Sequence, residues 1–397
     1  MSVQRLSSVQ LSASSALSPF ALVVVSPLLP ELSKLFNAPT SAAQYVISVY
    51  MIGLALAQVA LGALSDRFGR RVVLLASLVV YTIMSLVCAL STSMEMLIVA
   101  RFLQACGAAG SAAVCRASVH DVYRGDAAVT AMSYIASAHS MAHMLAPVVG
   151  GYVGETLGVR SVFGLLCVLG LTMVVATFYR MPETRLVQTG AMKFSVWHML
   201  ANNWYVSKSR VFLCYAGLFA LTGAPFFAFL SVAPAYFAEH FGTSAATFGL
   251  YWSVLSVAFF MGTVVSPRLV RVLGRTGMIR LIMVLGTLLA ALWPIAMQFL
   301  DATPLTLITP PAVLSGLLGV ISGAVLTGAI SAVPQLAGTA SGLCGALAMG
   351  AAALFTIITA SAYTGTVMGM IWPTTVTMFM MATLTAILAV IEKPSED

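Results

Sequence analysis

The chain has 397 residues, 60% of them hydrophobic and only 8% charged, with a mean hydropathy of +0.99. Soluble domains carry about 25% charged residues, so this composition excludes a water-soluble globular protein. The net charge of +7 would suit a polyanion partner, but its distribution along the chain, set out below, excludes nucleic acid.

A bilayer-spanning helix needs about 20 mostly apolar residues. Twelve such stretches follow one another, at roughly 10–30, 42–64, 72–91, 95–117, 129–154, 161–180, 211–236, 246–267, 278–299, 305–330, 336–362 and 368–391. Gly and Pro recur inside them, as is common in membrane helices, whereas barrel strands would give shorter, alternating segments. The expected fold is an all-α membrane protein. Arg5 followed by the apolar run Phe20–Val25 has the look of a signal peptide. That run continues through Pro27 and Pro30 straight into the next span, so a retained first helix is expected.

Between the second and third spans lies Gly62-Ala-Leu-Ser-Asp66-Arg67-Phe-Gly69-Arg70-Arg71, a charged turn in an otherwise apolar region. Gly69 lets the chain enter positive φ there. The fourth span opens with Arg101-Phe-Leu-Gln104-Ala-Cys-Gly107, placing an arginine some six residues inside it. An arginine at mid-bilayer costs about 2.5–3.5 kcal/mol even on lenient scales, so it faces a cavity, finds a partner, or snorkels to the outer interface. The fifth span carries small residues at every fourth position, Ala138, Ala142, Ala146, Gly150 and Gly154, followed one residue later by His139 and His143. Small residues at this spacing let membrane helices approach closely. Histidine titrates near neutral pH, so the pair could carry a proton, bind a metal, or simply hydrogen-bond to neighbouring helices. No third metal ligand is evident.

The longest polar stretch, from Pro182 to Arg210, divides the spans six and six. The expected organisation is an N-terminal bundle at 1–181, a linker at 182–209 and a C-terminal bundle at 210–397, a layout typical of two-fold transporters. The second half echoes the first. Pro267-Arg268-x-x-Arg271-x-x-Gly274-Arg275 occupies the loop equivalent to Gly62–Arg71, and Gly338, Gly342, Ala346 and Gly350 in span eleven match the small-residue stripe of span five. Pro225 and Pro234 in span seven, like Pro19, Pro27 and Pro30 in span one, permit kinks. Tyr45, Tyr50, Phe226 and Trp252 are candidates to line an apolar pocket.

With the N-terminus inside, 16 of the 19 basic residues fall on one side of the membrane. This is the positive-inside skew; it places both termini in the cytoplasm and explains the net charge without a polyanion. The six cysteines lie in or near spans without paired spacing and are expected as small packing residues. No phosphate-cradling loop or nucleophile–base arrangement appears, so neither an ATP-driven pump nor an enzyme is expected, and no cofactor or metal.

Gly62–Arg71, the Arg101–Gly107 run, the Ala146-Pro147-Val-Val-Gly150-Gly151 run, Arg116 with Asp121, and Ala337–Ser341 together resemble the major facilitator superfamily, and within it the twelve-helix drug:proton antiporters of the Bcr/CflA type. The resemblance implies two pseudo-symmetric six-helix bundles, alternating access and proton-coupled multidrug export from the inner (plasma) membrane. It further implies a cytoplasmic gate at Gly62, Asp66, Arg67, Gly69, Arg70 and Arg71, and an antiporter motif at Ala146, Pro147, Gly150 and Gly151. One departure stands out. Such proteins usually carry an acidic residue shortly before Pro-x-x-Pro in helix one, where this chain has Val23-Val-Val-Ser26. All twelve acidic residues are expected at helix ends or in loops. Arg101, Gln104, His139 and His143, with Tyr45, Tyr50, Phe226 and Trp252, therefore form the expected substrate and proton cavity, suited to a neutral, zwitterionic or anionic small molecule in a monomer. The alternatives are a dedicated metabolite, amino-acid or siderophore exporter, an uncoupled facilitator, or a non-transporting sensor.

Overall fold

A computed structural model describes residues 8–123, 125–184, 201 and 203–391. Arg5, Arg124, Arg185, Lys193, His198 and Lys393 lie outside the described residues, as do the side chain of Asp66 and the packing at Gly338. Every regular element among the described residues is helical.

The helices are α1 (Ser8–Val23), α2 (Leu29–Leu35), α3 (Thr40–Phe68), α4 (Arg70–Ala89), α5 (Met94–Val122), α6 (Gly125–Leu157), α7 (Val159–Arg180), α8 (Arg210–Phe241), α9 (Ala245–Ala296), α10 (Pro304–Ser331), α11 (Ala337–Ala362) and α12 (Val367–Ile391). Ten segments among the described residues are long and apolar enough to cross a membrane. The α9 segment of 52 residues is interrupted at Gly274 (φ 67°, ψ 167°) and makes two of the expected spans. The expected span five corresponds to α6, 33 residues long. Twelve transmembrane helices result among the described residues.

The chain divides into two compact units, Met1–Phe194 with Ser244–Leu250, and Ser195–Thr243 with Tyr251–Asp397. In the first, α1 packs on α5 and α6, α3 on α5, and α4 on α5 and α7; in the second, α8 packs on α10, α11 and α12. The seating of α1 on α6 is echoed by that of α8 on α11, as the repeated sequence motifs led one to expect.

The turns show why glycine sits where it does. Gly69 (φ 97°, ψ 148°) closes α3 and opens α4, and Gly274 adopts nearly the same backbone between the two halves of α9. Residues with a Cβ rarely take up positive φ. At both places the next residue, Arg70 or Arg275, starts a new helix. The two halves thus share a backbone turn even though the second lacks the acidic residue of the first.

The first span corrects an expectation. The helix breaks after Val23, continues as a 3-10 turn over Ser26–Leu28 and resumes at Leu29. Pro27 and Pro30 have no N–H to donate, and proline is well tolerated in the first turn of a helix, so the chain runs on to Leu35 as one span. Glu31, expected at the span's end, therefore lies within it, with Oε2 buried and without a hydrogen-bond partner. The carbonyls at the end of α1 are satisfied from three directions: Phe20 O by Val24 N at 3.0 Å, Ala21 O by Arg101 Nη2 at 3.0 Å and Val23 O by Ser26 Oγ at 2.7 Å.

The two small-residue stripes behave differently. A methyl group at Gly150 would stand against the carbonyl of Val24, and one at Gly154 would meet Leu28. The α6 stripe therefore holds the helix against the break in α1. At Gly342 and Gly350 a methyl group would meet nothing. The fully buried small residues of α11 are Ala340, Cys344 and Ala352, two positions away and so about 200° around the helix. The packing face of α11 is not its glycine face. Gly150→Leu should destabilise the protein by about 1–3 kcal/mol, as overpacking does, whereas Gly350→Leu should stay within about 0.5 kcal/mol. Thermal unfolding of the purified variants in one detergent measures both, and an equal response would refute the assignment of faces.

Candidate functional site

Arg101 is the most enclosed charge among the described residues, with 0% of its surface exposed. Its Nη1 donates to Gln104 Oε1 at 2.7 Å, its Nη2 to Ala21 O at 3.0 Å and its Nε to Val46 O at 3.4 Å. The guanidinium carbon lies 4.1 Å from the centre of the Tyr50 ring, an arrangement that is strongest where water is excluded. Gln104 Nε2 in turn donates to Ser85 Oγ at 2.6 Å, Ser85 Oγ to Tyr81 O at 2.7 Å, and Tyr50 OH to Ser18 O at 3.2 Å. One cation thus ties together α1, α3, α4 and α5 with no carboxylate in the set. Of the outcomes open at the sequence level, the structure shows a partnered arginine, with backbone carbonyls and Gln104 as the partners. Arg101, Gln104 and Tyr50 are brought together in closed packing, while Tyr45 on the same helix as Tyr50 is half-buried.

His139 and His143 are half-buried on α6. His139 Nε2 lies 2.7 Å from Ser15 Oγ of α1. His143 Nδ1 is 2.9 Å from the His139 carbonyl; since a carbonyl only accepts, Nδ1 carries the proton there. Arg116 of α5 is close enough for its charge to act on the His139 ring. No group of three metal-ligating side chains occurs among the described residues. In the second unit Phe226 and Trp252 are in contact, with ring centroids 4.0 Å apart, and the indole Nε1 of fully buried Trp252 has no acceptor.

The charged turn forms a second cluster. Arg70 Nε donates to Asp121 Oδ2 at 2.7 Å and Nη1 to Ser65 Oγ at 2.5 Å. Glu183, just past α7, accepts from Arg70 N at 2.8 Å and Arg71 N at 3.2 Å. It therefore caps the first turn of α4, where free N–H groups and the helix dipole favour a negative charge. Arg71 Nη2 reaches Phe178 O at 2.6 Å. A side chain at position 69 would strike the Glu183 carboxylate, a second reason for glycine. Arg67 is exposed beside Phe68, and a methyl group at Gly62 would meet open space. Sequence reasoning noted Asp121 but did not single out Glu183; its signal was the Pro-Glu-Thr run directly after an apolar span. Ala146, Pro147, Gly150 and Gly151 are all buried along α6.

The sequence profile of the Major Facilitator Superfamily matches residues 11–356. The chain belongs to this superfamily of membrane transporters. It is 31% identical over 238 residues to the multidrug resistance protein MdtM of Salmonella typhimurium, covering 59% of this chain and 57% of that protein. It is also 31% identical over 275 residues to a chloramphenicol resistance protein of Pseudomonas aeruginosa, covering 64% and 63% respectively. The chain thus spans less than two thirds of the length of either relative. The fold matches the xylose transporter XylE of E. coli in a partially occluded inward-open conformation, with a TM-score of 0.72, 13% identity and 98% of both chains covered. At that identity the likeness establishes the fold alone.

Two outcomes test this geometry. Arg101→Lys keeps the charge but not the planar fork that reaches three acceptors, and should lower stability by about 1–3 kcal/mol, measured as thermal unfolding in detergent. A double-mutant cycle of Arg70→Gln and Asp121→Asn should give a coupling of about 1 kcal/mol for this partly exposed pair; additive effects would show that the ion pair is not energetically real.

Proposed function

We propose that the chain is a secondary active exporter of small, drug-like molecules, working by alternating access and driven by protons entering the cell. The observation that carries this reading is the seating of the Ala146–Gly151 motif helix on the break in α1, through Gly150 against Val24. A span interrupted at Val24–Leu28 and closely held by a glycine-bearing neighbour is a natural place for a transporter to bend. The resistance phenotypes named for the Salmonella and Pseudomonas relatives support export of drugs, and place chloramphenicol first among the compounds to try.

In this reading the Arg70, Asp121 and Glu183 cluster is the gate of the first unit on the cytoplasmic side, and both termini face the cytoplasm. The binding cavity of the first unit draws on His139, His143 and Arg116. Its basic character suits neutral, zwitterionic or anionic compounds, because a charge in a low-dielectric site repels its like. The proton rides on the histidines, with Glu31 as the rival carrier since it is a carboxylate inside a span. Arg101, with each of its three nitrogens engaged, acts as the brace on which these helices turn.

Radiolabelled chloramphenicol should accumulate in inside-out proteoliposomes when the lumen is made acidic, and collapse of the pH gradient should stop it. Replacing both His139 and His143 by Gln should remove the dependence on pH while leaving some flux down a concentration gradient. Unchanged coupling in that variant, together with its loss in Glu31→Gln, would move the proton to the carboxylate. Absence of flux for chloramphenicol and a wider drug panel would refute export.

A further inference from the structure

A cavity of about 520 Å³ opens between the first half of α9 and α10, beside the second-half turn and apart from the Arg101, histidine and Arg70 clusters. Its mouth carries Arg271 and Arg275, beside the Gly274 turn; its walls include Ser266, Pro267, Ser322 and Thr327; and its inner end is formed by Thr263 and Gly319. From Gly274 to Thr263 is 11 residues, about 16 Å along a helix. The groove is therefore charged where the helix ends and small or apolar in its depth.

The charges are uncompensated. No acidic residue lines the cavity. Arg275 is held by stacking on Tyr215, 5.2 Å from the ring centre, whereas Arg271 is exposed and makes no hydrogen bond or ion pair among the described residues. Val270, Gly319, Gly323 and Ala324 line the groove without a polar side chain. The space itself comes from glycine. A methyl group at Gly319 would press on the carbonyl of Phe259, so the helices touch there, but one at Gly323 would meet nothing.

We propose that this groove binds an anionic phospholipid, its headgroup phosphate held by Arg271 and Arg275 and one acyl chain laid along the groove toward Gly319. Two arginines with spare donors match a phosphate. The apolar depth suits a molecule with a tail, and a free phosphate ion would gain nothing from it. Basic pockets between membrane helices are recognised headgroup sites in general. The inference is independent of what the protein exports.

The test uses the full-length protein in a mild detergent, with lipid retention followed by native mass spectrometry. Phosphatidylglycerol should be retained in preference to phosphatidylcholine of the same acyl composition. Each basic residue near a membrane surface is worth about a five-fold change in affinity, so the double variant Arg271→Gln/Arg275→Gln should bind phosphatidylglycerol roughly ten- to thirty-fold more weakly. Gly323→Leu keeps both arginines and fills the groove without a clash, and should also weaken binding. Arg280→Gln, at a separate groove lined by Met283, Thr287 and Thr385, should leave it unchanged. The proposal is overturned if the double variant retains the lipid as well as the parent, or if Gly323→Leu has no effect, which would reduce the site to a surface charge patch. An equal loss in Arg280→Gln, or equal competition by millimolar inorganic phosphate, would overturn it too.

Discussion

Inside a bilayer no water is at hand to complete a hydrogen bond, so the backbone polar groups of a span must find their partners in the protein. Arg101 shows how strongly this shapes the first unit. A guanidinium has five N–H donors, and here three of them reach two carbonyls on α1 and α3 and the Gln104 amide oxygen one turn along α5, with an aromatic face covering the charge. One of those carbonyls, Ala21 O, is at the end of α1 where a helix leaves acceptors unfilled. The break in the first span and the buried cation therefore answer each other. Without the arginine, the broken helix would strand an acceptor in a low-dielectric interior; without the break, the arginine would lack one of its partners.

The same requirement explains why the protein manages without an acidic partner for this cation. A buried ion pair must offset the desolvation of two charges, whereas a cation solvated by carbonyls and a π-face desolvates only one. The acidic residues that do meet arginine, Asp121 and Glu183, do so at a helix end and in the connection after α7, where water is near and the free N–H groups of α4 add to the attraction.

The fold was largely legible in the sequence, because span length, the six-and-six division and the glycine turns are each set by local chemistry. Gly69 and Gly274 could be paired from their flanking arginines alone, and their backbones agree. The site was legible only in part. The motif around Arg101 marked it as special, but its acceptors on α1 and α3 are backbone atoms, 80 and 55 residues away, and a carbonyl carries no residue-type signal. Glu183 was hidden for a similar reason: its partners are main-chain N–H groups. The stripe in α11 misled, because a period of four identifies a face without saying whether that face is packed. Its neighbours at Ala340, Cys344 and Ala352 are equally small and took the contact instead.

Glu183 also changes how the connection between the halves should be pictured. The polypeptide leaving α7 is fastened within three residues, by two main-chain hydrogen bonds at the head of α4. A pull transmitted along the chain from beyond Thr184 would be felt first at that helix cap, and only then at α7. The tether between the halves is thus spliced into the charged turn, so tension in it and the rupture of that cap are the same mechanical event.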